Sequence, residues 1–282
     1  MSSSEGASAP AHSHMLFEDD HLRIRFVEGK SNEAIISFSG IGTSDYHIGD
    51  AIPSPGRGAR NANQIDEFRK TIGETRNVYY VADKYRGWYN GLEDTILEII
   101  NSHITERRTR HVLALGNSMG GSAALMFASR IHGCRQAVAF APQSSVHTEI
   151  VPFEERWEAY RAAITEWTTP DPILSMDASM RRYYVFFGMR DDMDKQHVQR
   201  ILARRLPNTI VFGFRRAGHD VALYLRNNGV SLKDIIDTAF TGTANDVREV
   251  IKTLPYFVRA PGTAPEPRPE RRRPRRRARQ DA

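Results

Sequence analysis

Five short apolar runs, at residues 78–82, 111–115, 137–140, 183–187 and 209–214, are nearly continuous in hydrophobicity and rich in β-branched or aromatic residues. Such runs read as strands buried on both faces, because a half-exposed strand would alternate apolar with polar. Between them lie stretches with helical spacing: Ile65, Phe68 and Ile72; Leu92, Ile96, Ile99 and Ile100; Leu125, Ala128 and Ile131, closed by Gly133; and Val198, Ile201, Leu202 and Leu206. Asn90 followed by Glu93 has the form of a capping box for the second stripe. Strand–helix alternation predicts an α/β fold with a mostly parallel central sheet and helices on both faces. Upstream, residues 22–27 and 34–38 read as an antiparallel hairpin around a turn holding Gly29 and Asn32. In open parallel sheets ligands collect at the carboxyl ends of the strands, so chemistry is sought in those loops.

At 282 residues the chain can bury a full core without disulfide or metal staples. The single cysteine, Cys134, has no internal partner and reads as a buried, inert thiol, compatible with a reducing compartment. No apolar run approaches the roughly 20 residues a bilayer requires. Residues 1–14 lack the basic start and apolar stretch of a secretory signal, so a cytoplasmic location is expected.

The net charge of +5 is unevenly placed. From Arg259 onward nine arginines face three acidic residues, a net of +6, which leaves the rest of the chain at −1. Three zones follow: a disordered segment over 1–13, one folded domain over 14–258, and a disordered Pro/Arg-rich tail over 259–282. That tail suits an anionic surface or acidic partner if it binds anything. No aromatic residue follows Phe257, so base stacking is not supported and no specific nucleic-acid motif is present.

Within the domain, Gly116-Asn117-Ser118-Met119-Gly120-Gly121 sits between an apolar strand and a small-residue helix start. A serine on so tight a strand-to-helix turn holds its Oγ clear of the sheet, and glycines two before and two after relieve the collisions this creates. A serine hydroxyl is a poor nucleophile without a base. His219, preceded by Gly218 in the loop after the 209–214 strand, is placed to supply one. His12, His14, His21, His103, His111, His132 and His197 read as solvated residues of tails, strand starts or helix surfaces.

A third group must hold the imidazole in the correct tautomer. The loop after the 183–187 strand offers Gly188-Met189-Arg190-Asp191-Asp192-Met193-Asp194. Asp191 is the expected acid because it lies nearest the strand end. Asp192 is the alternative, and Asp194 suits the cap of the next helix. Two backbone donors are needed for an oxyanion. The amide of Met119 is one, and that of Ile41, in Ser39-Gly40-Ile41-Gly42-Thr43, is the other.

Together these residues resemble the α/β-hydrolase superfamily over about residues 20–255. The chain order Ser118, Asp191, His219 is the order of that superfamily. Ser39 stands where the resemblance implies a histidine in the oxyanion loop. The Asn-Ser-Met-Gly-Gly elbow followed by Phe140-Ala141-Pro142-Gln143-Ser144 is similar to a bacterial group, some of whose members accompany glycan-related genes. The resemblance implies a serine hydrolase cleaving an ester or thioester through an acyl-enzyme, on a small-molecule or glycan-linked substrate. An O-acyltransferase acting on a sugar or other alcohol, or a non-catalytic binding protein of the same fold, are the alternatives. No metal or organic cofactor is called for. A lid insertion is expected over about 143–181, where Phe153, Trp157, Tyr160, Ile164 and Trp167 recur at helical spacing. Trp157 is a candidate pocket residue there, with Trp88 and Tyr89 from the 83–89 loop as the opposite wall.

Overall fold

The structure, a computed structural model, describes residues 12–41 and 66–259. Residues 1–11 and 260–282 of the two segments expected to be disordered, with Gly42, Thr43 and Ile65, lie outside the described residues; Ser13 and Arg259, also expected to be disordered, instead stand in strands. Among the described residues nine strands form one sheet: β1 (Ser13–Glu18), β2 (Leu22–Val27), β3 (Glu33–Phe38), β4 (Asn77–Asp83), β5 (His111–Asn117), β6 (Cys134–Phe140), β7 (Arg182–Gly188), β8 (Thr209–Phe214) and β9 (Tyr256–Arg259). Their spatial order is β1-β2-β4-β3-β5-β6-β7-β8-β9. The six strands from β4 to β8 run parallel, with antiparallel β1, β2 and β9 at the edges. Among the described residues the helices are α1 (Arg69–Ile72), α2 (Glu93–Glu106), α3 (Met119–Phe127), α4 (Glu158–Ala162), α5 (Asp192–Ala203), α6 (Val221–Asn227), α7 (Leu232–Thr241) and α8 (Ala244–Ile251). None is long and apolar enough to cross a membrane.

Every residue of β4 is buried, so it needs a neighbour on each side. This overturns the expected hairpin. β4 lies between β2 and β3, pairing antiparallel with one and parallel with the other. The β2–β3 connection instead crosses the start of β4, with Gly29 N–H donating to Asn77 Oδ1 (2.9 Å) and Lys30 N–H to Thr75 O (3.1 Å). Two apolar layers result. One packs α2, α3 and α5 on the sheet through Ile96, Ile100, Leu125, Phe127, Val198 and Ile201. The other packs α6, α7 and α8 through Val221, Leu225, Ile235, Ile236, Val247 and Ile251.

Residues between β6 and β7 form the expected insertion, but its aromatic stripe is not one helix. Only Glu158–Ala162 is α-helical, followed by a 3-10 turn at Pro172–Ser175. Glu154 interrupts the stripe: it is wholly buried, and its carboxylate is drawn inward by His197 and Arg156. Asn90 and Glu93 do not form a capping box either. The α2 N-cap is Leu92, without a side-chain bond. Asn90 Oδ1 accepts from Thr168 N–H (2.8 Å), and Glu93 accepts from Thr168 Oγ (3.1 Å). Both residues therefore fasten the insertion to the body.

Candidate active site

Ser118 stands at the junction of β5 and α3 with φ 54° and ψ −120°, a strained backbone conformation for a residue with a side chain. The elbow is held by Ser118 N–H donating to Phe140 O (2.8 Å). A methyl group at Gly116 would fall on the Gly120 carbonyl, and one at Gly120 on the Phe38 carbonyl, so the turn closes only with glycine at both places. Ser118 is 7% exposed, and its Oγ lies 2.9 Å from His219 Nε2. His219 reaches it from the loop between β8 and α6.

The acid against the other imidazole nitrogen is Asp194, with Oδ1 at 2.9 Å and Oδ2 at 3.0 Å from Nδ1. This corrects the expectation of Asp191 and of its alternative Asp192. Asp191 is the N-cap of α5, its Oδ1 accepting from Asp194 N–H (2.9 Å). Its other oxygen bonds Arg156 (3.1 Å). Asp192, one residue further, points outward to Lys195 at 2.5 Å. With the cap at 191, Asp194 occupies the third helical position, where the side chain turns back over the helix start toward the sheet end. The two carboxylates have exchanged the roles that their order suggested.

Met119 is the first residue of α3, so its amide belongs to the helix N-terminus beside Ser118, where backbone donors lack helical partners. Ile41 follows β3 and is buried. Gly40, next to it, packs so closely on the elbow that an added methyl would lie 2.8 Å from Asn117 O. The Ser39–Gly40–Ile41 run therefore packs directly against the nucleophile turn. Gly40 N–H donates to Glu67 Oε2 (2.5 Å), and burial pushes the Glu67 carboxyl up to about 7 against the bonds from Gly40 and Asn117.

The expected wall residues differ in kind. Tyr89 is wholly buried and shares its one O–H between Ser39 O (2.8 Å) and Val81 O (3.1 Å), which ties the Ser39–Ile41 run to β4 without facing a cleft. Trp88 is buried with its indole N–H on Gln143 Oε1 (3.2 Å). Trp157 is partly exposed, with ring centroids 6.0 Å from His219 and 6.2 Å from Trp88. It does lie beside the triad.

Four further side chains converge on the site. Arg156, from the insertion, bonds Asp194 Oδ1 (2.9 Å), Asp191 Oδ2 (3.1 Å) and Glu154 Oε2 (2.5 Å). Burial would lower its proton affinity, but Glu154 and Asp194 hold the guanidinium pKa well above its usual value. Burial would likewise raise Glu154; the bonds from His197 and Arg156 prevail and hold it at about 2. His197, expected to be solvated, is fully buried, and burial pulls its imidazole down. Its Nε2–H donates to Glu154 (2.8 Å), while Nδ1 accepts from Ser144 N–H (3.2 Å). Gln143, wholly buried, donates from Nε2 to Ser118 Oγ (3.1 Å). Among the described residues, Asp191, Asp194 and His219 are close enough to share a cation, but Arg156 already supplies positive charge to both carboxylates.

Serine elbow, hydrogen-bonded histidine and carboxylate, at the carboxyl ends of β5, β7 and β8, define the α/β-hydrolase class. Solved structures share the fold. A 2,6-dihydroxy-pseudo-oxynicotine hydrolase superposes with TM-score 0.54 at 14% identity, over 83% of this chain and 69% of that one. The acylaminoacyl peptidase of Pyrococcus horikoshii superposes with TM-score 0.56 at 12% identity, over 88% of this chain and 44% of the larger protein. The Esterase family pattern matches residues 37–216, and the chain belongs to that family. It is accordingly an enzyme of ester hydrolysis or acyl transfer. No curated protein matches the sequence.

Proposed function

We propose that this chain is a serine carboxylesterase that works through an acyl-enzyme on Ser118. The observation that carries this is the continuous bond path from Ser118 Oγ to His219 Nε2 (2.9 Å) and from His219 Nδ1 to Asp194 (2.9 Å). Asp194 keeps the proton on Nδ1, which leaves the Nε2 lone pair toward the serine. As Oγ bonds to the ester carbonyl carbon, its proton passes to Nε2 and the carbonyl π pair moves onto oxygen. The amides of Met119 and Ile41 stabilise that oxyanion; one such donor contributes about 3 kcal/mol. Collapse breaks the bond to the alcohol, which leaves with the proton from Nε2. Water then gives a proton to Nε2, attacks the acyl carbon, and expels Oγ, which recovers the proton.

A fluorophosphonate probe and a panel of p-nitrophenyl and sugar esters test this. Wild-type chain should be labelled at Ser118 and should turn over at least one ester class, with both lost in Ser118→Ala. Folded wild-type chain that takes up no probe overturns the proposal. Adding sugar alcohols to the same reactions shows whether water or an alcohol accepts the acyl group.

A further inference from the structure

Gln143 is not one of the residues a serine–histidine–aspartate centre requires, yet its amide touches the reacting atom. Its Nε2 lies 3.1 Å from Ser118 Oγ. The amide cannot be turned the other way. Its Oε1 receives the indole N–H of Trp88 (3.2 Å), and indole nitrogen only donates. The Ser122 hydroxyl also donates to Oε1 (3.3 Å). Exchanging oxygen and nitrogen would set N–H against N–H around a wholly buried amide. The donor end of the amide is therefore fixed on the nucleophile, while the Ser118 hydroxyl gives its own proton to His219.

Both neighbours are held at some cost in backbone strain or buried polarity. Arg86, Trp88 and Tyr89 all adopt positive φ, at 58°, 55° and 61°. Three such residues in one short loop persist only where surroundings over-determine them, and they cluster at functional sites. The determinant is the buried Asp83 carboxylate, which accepts the N–H of Tyr85 (3.0 Å) and of Tyr89 (2.9 Å). Gln143 is anchored from its other side through Ser144, whose N–H donates to His197 and whose hydroxyl accepts from Arg200 (2.9 Å).

We propose that Gln143 is a catalytic residue that donates a hydrogen bond to Ser118 Oγ, with Trp88 as the positioning residue that sets the polarity of its amide. This rests on the assignment of Ser118 as nucleophile. Oγ carries negative charge at two moments, as it loses its proton to His219 during attack and as it is expelled from the acyl-enzyme. A fixed N–H at 3.1 Å stabilises it at both and holds the side chain in the attacking rotamer.

The test measures the second-order rate constant of fluorophosphonate labelling, kcat/KM for p-nitrophenyl acetate, and Tm. Gln143→Leu, which removes the donor, should lower both rate constants about 10–100-fold. Gln143→Glu keeps the shape but turns an oxygen lone pair toward Oγ. Its loss at pH 8 should be greater, and should shrink relative to wild type as pH falls. Desolvation raises a buried carboxyl, and once protonated it has an O–H to donate. Trp88→Phe, which frees the amide to turn, should lose about threefold to tenfold, and nothing further when added to Gln143→Leu.

A purely structural role would lower Tm while the folded protein labelled at the wild-type rate. Labelling of folded Gln143→Leu and Gln143→Glu within twofold of wild type, at every pH, overturns the proposal. Should the leucine variant fail to fold, the near-isosteric glutamate and Trp88→Phe variants decide it. Wild-type protein that does not label would sink the nucleophile assignment and this inference with it; wild-type labelling with undiminished variants sinks the inference alone.

Discussion

Replacing Asp194 by Asn removes one charge from the imidazole and leaves the side-chain volume almost unchanged. Asp194 lies 2.9 Å from His219 Nδ1 and its side chain is 2% exposed, so little solvent screens the pair. Taking charge centres about 4 Å apart and an effective dielectric near 20, the carboxylate stabilises the transient imidazolium by about 4 kcal/mol. At about 1.4 kcal/mol per tenfold, that is close to a thousandfold in rate. Two features push the loss higher. An Asn can turn its NH2 toward Nδ1, which favours the tautomer with Nε2 protonated and unable to accept the serine proton. Arg156 would also remain beside the imidazole, its Nη1 already 3.1 Å from Nδ1, with one fewer carboxylate to balance it. Asp194→Asn should therefore lower kcat/KM for p-nitrophenyl acetate by about 10³–10⁴-fold.

The same substitution at Asp191 is the control that makes the measurement decisive. Asn caps a helix as well as Asp, so the bond from Asp194 N–H survives, and Arg156 keeps Asp194 and Glu154. Less than about a fivefold loss is expected, with Tm within about 2 °C of wild type. Asp191→Ala, by contrast, should cost about 1 kcal/mol of stability through the lost cap. A larger catalytic loss at Asp191 than at Asp194, in folded proteins, would refute the assignment.

Three other measurements probe the surroundings. Burial raises the Glu67 carboxyl from 4.5 to about 7, so the folded state binds more protons than the unfolded one between those values. The resulting penalty is absent below pH 4.5 and complete above 7. Glu67→Gln should then raise stability at pH 8 by about 1–3 kcal/mol but change it little at pH 4.5, as denaturant melts at the two pH values would show. Arg156→Leu leaves Glu154, Asp191 and Asp194 without their shared cation and should cost about 2–4 kcal/mol. Differential scanning should find Tm lower by about 5–15 °C, with Arg156→Lys intermediate because it lacks the planar fork. Cys134, expected to be buried, is only partly so, but desolvation of its thiol pushes it up to about 12, so the native chain should react with iodoacetamide at pH 8 far more slowly than the denatured one.

The parallel strands were legible because burial on both faces leaves a near-continuous apolar signature. β3 to β8 fall within a residue or a few of the expected runs. The pairing of β2 was not legible: two short strands separated by a glycine-bearing turn satisfy the local signal for a hairpin, and only the all-buried β4 decides otherwise. Ser118 and His219 could be located because each is fixed by its own stretch of chain, a glycine-framed elbow and a loop directly after a strand. The acid could not. Three carboxylates within four residues each suit a first helical turn, and which one faces the histidine depends on where the helix begins. That the cap falls at 191 is a tertiary fact: it lets Asp194 meet His219 and Arg156 together, while Asp192, with a side chain 85% exposed, points away.

The insertion explains most of what the sequence concealed. Read alone, residues 143–181 suggest an amphipathic flap with an aromatic face, because Trp157 and Trp167 dominate its hydrophobicity. Its polar residues determine how it sits. Near the start of the segment, Ser144 is bonded to His197 and Arg200 of α5. Midway, Glu154 is locked to His197 while Arg156 grips Asp191 and Asp194. Toward the end, Thr168 is held by Asn90, and Asp171 by Arg200 (2.8 Å). These anchors recur along the segment, so it cannot swing away as a flap without breaking the bonds that also brace the triad carboxylate. The segment is thus a wall of the site braced by these bonds, and it places Trp157 beside the histidine and Gln143 on the nucleophile.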